Sequence, residues 1–153
     1  VVINNVRDYY SGESFEDHHY YSSFISESVI LELENINNVK FDLHKVVQFC
    51  KEINGTYSQG LSILKSLLIR SLINHIPPVF GFDNFKHYVS NLGKSKKSLI
   101  SQLEDFARKV GDIHSHATIR HKENLPTKNQ IDPFKSSIEI LLQELITELK
   151  NPT

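Results

Sequence analysis

Cysteine occurs once in the 153 residues, so no internal disulfide is available. Cys50 stands inside an apolar run, the usual setting of a thiol that packs as a small hydrophobe. That scarcity predicts a reducing, cytoplasmic setting. The chain also lacks any run near the roughly 18 apolar residues that a membrane span requires, and its start shows no basic-then-apolar signal pattern. No membrane partner is expected. The first residue is Val1 rather than methionine, which predicts a longer chain with an upstream domain.

What is present is the composition of a folded soluble domain. The formal net charge is -1, with 39% hydrophobic and 10% aromatic residues, and the length suits one domain that buries its apolar surface without staples. The small net charge hides an asymmetry. Residues 1–39 hold seven Asp and Glu against Arg7 alone, whereas residues 86–122 hold eight Lys and Arg against Glu104, Asp105 and Asp112. The basic segment is able to attract phosphates, or to serve as a solvated helix face opposite the acidic one.

Residues 1–39 show no sustained period and read as an N-terminal arm or linker from an upstream region, with "VILELENI" a short helix or strand. Tyr9, Tyr10, Tyr20 and Tyr21 are placed there to dock the arm on a neighbour. Residues 40–150 read as the helical domain. Asp42 is a good N-cap; Leu43, Val46, Val47, Cys50 and Ile53 keep helical spacing; Gly55 is placed to end that helix. The segment from Tyr57 to Ile76 is apolar on most of its circumference, which predicts a central helix stopped by Pro77 and Pro78. Pro77, Pro78, Phe80 and Gly81 then make a rigid corner, and a short amphipathic piece follows around Phe85, Tyr88 and Val89.

From Ser95 a long helix is predicted, with Leu99, Leu103, Phe106, Ala107, Val110, Ile113, His114 and Ala117 on one stripe and its end near Arg120 or Lys122. Thr127 and Gln130 fit a capping box, but a short turn is expected there, with Asp132 capping and Pro133 opening a last helix striped by Phe134, Ile138, Leu141, Leu142, Leu145 and Leu149. The fold class is all-α: an antiparallel four- to five-helix bundle preceded by an irregular arm.

The stretch "RKVGDIHSHATIRH" at 108–121 gathers three histidines and two arginines. Arg108, Asp112 and His116 step by i, i+4, i+8, so the carboxylate is able to accept from both the guanidinium and the imidazole. A structural ladder has the same spacing. His114 lies about 40° from Val110 on the apolar stripe, facing the central helix with Arg70, Asn74 and His75. His114 and His116 diverge by about 200°, so they cannot share one ion, and neither metal nor cofactor is expected. An arginine and a histidine converging on a phosphate suffice for metal-independent RNA cleavage. Two such spacings occur, Arg70 to His75 and Arg108 to His114 or His116. Lys109, Arg120, His121 and Lys122 are the candidate phosphate contacts beside them.

The run "ARKVGDIHSH" on a helix late in an all-α domain, followed by "LPTKNQ" and "SIEILLQELITEL", resembles the HEPN superfamily over roughly residues 40–150. It is most similar to bacterial HEPN-like domains whose signature reads approximately R-K-x-G-N-x-x-x-H. Arg108, Lys109, Gly111 and His116 match it, and Asp112 stands where asparagine is usual. The resemblance implies a four- or five-helix bundle that dimerises through its motif helices and serves in toxins, CRISPR effectors or abortive-infection systems. Active relatives cut RNA with R-x(4-6)-H, whose arginine is normally followed by Asn, Asp or His. Here Arg70 is followed by Ser71 and Arg108 by Lys109.

Three functions follow as expectations. The first is a non-catalytic module of a bacterial antiviral defence or toxin-type system, acting as a homodimer or higher homo-oligomer or coupling to an upstream domain or partner protein. The second is a metal-independent endoribonuclease. The third is simple nucleic-acid binding, against which stands the lack of aromatics interleaved with the basic residues.

Overall fold

The computed structural model describes residues 23–37, 40–116 and 118–151. The four arm tyrosines named above lie outside them. Among the described residues every regular element is helical, as the all-α expectation required. Helix α1 (Glu27–Asn35) turns Val29, Ile30 and Leu33 inward, the three-residue stripe that makes so short a helix worth burying. It is anchored ahead of its first turn. Asn54 clasps the backbone of Ile25 from both sides, accepting its amide at 2.8 Å and donating to its carbonyl at 2.8 Å. The packed domain therefore includes Phe24, Ile25 and α1, earlier than the boundary expected at residue 40.

Helix α2 (His44–Ser58) buries Val46, Val47, Cys50 and Ile53 as the spacing predicted. Asp42 sits one residue further out than a standard cap, its carboxylate accepting the His44 amide at 2.9 Å. Gly55 does not end this helix. The chain runs through it and turns at Gly60, whose φ of +70° is the left-handed conformation that only glycine adopts without strain. Two residues later α3 (Ser62–His75) returns antiparallel against α2.

Helix α3 is apolar on most of its circumference, as expected of a central helix, but its first turn is not buried in that way. Leu61, Ile63 and Leu64 are exposed while Lys65 and Ser66 are buried. The inward stripe runs through 65, 69, 72, 73 and 76, and a lysine occupies its first position. Pro77 and Pro78 stop the helix as expected and open a 3-10 turn ending at Gly81, with φ +80°. Phe80 stacks on Tyr88 of α4 (Phe85–Ser90) with centroids 4.4 Å apart, making the corner rigid.

Helix α5 (Lys94–His116) is the longest element. Its buried line is Ile100, Leu103, Ala107 and Gly111, rotated from the predicted stripe. Leu99 and Ile113 are 44% and 48% exposed. Rotation follows from what the neighbours need: α3 approaches on the Ala107–Gly111 side, where side chains are small enough to admit it. The helix also ends at His116, short of the predicted end at Arg120 or Lys122, leaving those residues outside regular secondary structure.

Thr127 and Gln130 do form the capping box, Gln130 Oε1 accepting the Thr127 amide at 2.9 Å, and they start α6 (Lys128–Ile131). A 3-10 turn over Asp132–Phe134 joins it to α7 (Lys135–Lys150), which buries Ile138, Leu141, Leu142, Leu145 and Leu149. Phe134 stacks on Phe106 of α5 with centroids 4.0 Å apart. Helix α7 packs between α1 and α5, and α3 packs between α2 and α5, so five helices close a ring around one core.

Candidate functional site

The residues singled out by the sequence divide between two faces of α5. On the face toward α3, Arg70 reaches across and donates from Nη1 to Asp112 Oδ1, and from the same atom to the carbonyl oxygen of Arg108 at 3.0 Å. Gly111 makes this possible. A Cβ built at that position collides with Cδ of Arg70 and lies 3.1 Å from its Nη1. The glycine of the R-K-x-G pattern is thus the slot through which an arginine from the neighbouring helix passes.

This clamp replaces the ladder expected along α5. Asp112 is engaged by Arg70 rather than by Arg108 and His116. Arg108 instead leans back to Asp105 at 3.4 Å and toward Glu104 at 3.9 Å, and is half exposed. Both contacts are worth little at that exposure. Arg70 and Arg108 nonetheless line one small cavity of about 140 Å³ between α3, α4 and α5, together with Asn74, Asn84, Lys86 and Glu104.

The histidines do not join them. His75, some 140° round α3 from Arg70 by helical geometry, packs edge-on against Phe49 of α2 with centroids 6.0 Å apart. Partial burial there and the nearby Lys45 charge hold its pKa below the ordinary value of 6.5. His116 is exposed at the end of α5, about 12 Å along the axis from Arg108. His114 is half buried, but it does not meet Arg70, Asn74 and His75. It lines a groove between α5 and the segment 120–134. Among the described residues no group of three or more His, Cys, Asp or Glu is arranged to hold a metal ion.

That groove, about 540 Å³, is the most developed concavity around the motif helix. Phe106, Val110, Ile113, Leu125, Pro126 and Phe134 supply its apolar lining, with Lys109, Arg120 and Lys122 at the edges. Lys109, Arg120, His121 and Lys122 are all exposed. Beside the groove Ile119 is 93% exposed and Leu125 66%. Together with the apolar furrow these side chains leave an uncovered apolar patch beside the end of α5.

One cluster escaped the reading of the sequence. Lys65, Lys128 and Lys135 gather around the rings of Tyr57 and Phe24. The available signal was the position of Lys65 in line with Ile69, Leu72 and Ile76 on the buried stripe.

The structure thus defines an all-helical ring with an arginine clamp on one side of its longest helix and an apolar groove on the other. The chain matches no protein family model, no curated protein and no solved structure. No helix among the described residues is long and apolar enough to cross a membrane.

Proposed function

We propose that the chain is a HEPN-like helical assembly module that pairs with a second copy of itself through the groove beside the end of α5. The observation that carries this reading is the apolar groove with Ile113, Ile119 and Leu125 exposed at its margin. A two-fold contact uses one self-complementary patch, and a groove bordered by exposed aliphatic side chains suits that use. The clamp supports a structural use of the motif, since Arg70 and Asp112 are spent on holding α3 to α5 and the histidines lie away from the arginines. The resemblance to HEPN domains of defence and toxin systems agrees with pairing through the motif helix. A reducing cytoplasm suits Cys50, buried and with its thiol pushed up to about 12 by that burial.

The competing reading is a metal-independent endoribonuclease, favoured by the shared cavity of Arg70 and Arg108. Solution mass and RNA cleavage in EDTA separate the two. The parent is expected to be a dimer that leaves labelled RNA intact, and Ile113→Lys/Leu125→Lys a folded monomer. A parent that stays monomeric at millimolar concentration overturns the assembly reading. Cleavage lost in His116→Ala would establish the nuclease instead.

A further inference from the structure

We propose that Lys65, Lys128 and Lys135, gathered round Tyr57 and Phe24, bind the phosphate group of a small molecule at a site separate from the groove. The three ammonium groups come from α3, α6 and the first turn of α7. Their Nζ atoms lie 4.3, 4.8 and 5.1 Å from the centroid of the same Tyr57 ring. Lys65 and Lys135 also lie 5.5 and 5.9 Å from the centroid of Phe24, whose ring is 5.5 Å from that of Tyr57.

Lys65 is buried, Lys135 partly buried and Lys128 exposed with a hydrogen bond to Tyr57, and one aromatic face does not offset the mutual repulsion of three ammonium groups around it. Among the described residues none of the three forms an ion pair within 4.0 Å. The acid whose charge reaches Lys65 and Lys128 is Asp132, one of whose oxygens is buried without a hydrogen bond. Lys65 is the most telling member. It is 1% exposed, on the stripe that otherwise carries Ile and Leu, and burial pushes its pKa below the ordinary value. A lysine held there for its stem alone would serve better as leucine or methionine.

Room for a ligand adjoins the cluster. Phe24 and Lys135 also line a cavity of about 220 Å³ whose wall carries the hydroxyls of Ser23, Ser26 and Ser136. The carboxylate in that wall, Glu139, is turned to Ser26 and accepts from both its hydroxyl and its amide. A phosphate seated in this cavity beside Lys135, toward Lys65 and Lys128, would supply negative charge that Asp132 and Glu139 leave short, with the Ser23 and Ser136 hydroxyls as further donors.

The test is calorimetric titration of the full chain with inorganic phosphate and, separately, with glycerol 3-phosphate, each against sodium chloride of equal ionic strength. One saturable site is expected on the parent, weakened at least tenfold in Lys65→Met and in Lys128→Gln/Lys135→Gln. The double variant changes side chains nearer the surface and carries the test if Lys65→Met does not fold. Tighter binding of glycerol 3-phosphate than of phosphate identifies an organic phosphate as the ligand class, and the reverse identifies free phosphate. No saturable binding to the parent, or equal binding to parent and double variant, overturns the proposal whatever the oligomeric state.

Discussion

Gly111 and Arg70 show how one missing Cβ is turned into a contact between helices. Replacing Gly111 by Ala forces Arg70 to swing out, which removes its bonds to Asp112 and to the Arg108 carbonyl. An ion pair this exposed contributes about 0.5–1 kcal/mol, and alanine gains about 1 kcal/mol over glycine inside a helix. The two effects nearly cancel, so stability alone is a poor witness. The coupling between Arg70 and Asp112, measured by a double-mutant cycle, is expected at about 0.5–1 kcal/mol in the parent and near zero in a Gly111→Ala background. Persistent coupling in that background would show that the arginine does not depend on the slot. The partner of Asp112 was not legible in the chain. Arg108 lies four positions away along the helix, whereas Arg70 lies 42 positions away and reaches it only once α3 and α5 have packed.

At the scale of elements, two glycines near the end of α2 look alike in the sequence and have opposite roles. Gly55 sits inside the helix with open space where its Cβ would be, and Gly60 leaves the helix at φ +70°. Gly55→Ala is expected to stabilise the protein by up to about 1 kcal/mol. Gly60→Ala should destabilise it by about 1–2 kcal/mol, because the left-handed conformation crowds a Cβ against the backbone. Urea midpoints of the two variants should move in opposite directions; movement in the same direction would contradict this account of where α2 ends. Signals that act locally were legible: the Pro77–Pro78 stop, the α4 triad of Phe85, Tyr88 and Val89, and the stripe of α7. The rotation of α5 was not. Leu99 and Ile113 fit a helical stripe as well as Ile100 and Gly111 do, and only the neighbouring helices decide which line faces inward.

Over the whole molecule, the response to alkali separates the buried ionisable groups by sign. Burial raises the Cys50 thiol and the Tyr88 hydroxyl to about 12 each, so the unfolded chain ionises first and stability falls as pH rises above their ordinary values of 9.0 and 10.0. Lys65 acts the other way. Its folded pKa lies below 10.5, so between the two values the unfolded chain keeps a proton that the folded one has released, and stability gains with pH. Subtracting the profile of Lys65→Met from that of the parent cancels Cys50 and Tyr88. The difference should rise with pH up to about 10.5 and then level; a flat difference would place the ammonium in solvent. A last consequence concerns mechanical load. Helices α1 and α7 lie side by side in the same direction, Ser26 at Glu139 and Glu32 at Lys150, so Ser23 and Asn151 emerge at opposite ends of the pair. Tension applied through those two residues drags α1 and α7 past each other along their length. Every contact of that seam is then strained together instead of being peeled one turn at a time, which makes this pair the part of the ring suited to transmitting a pull.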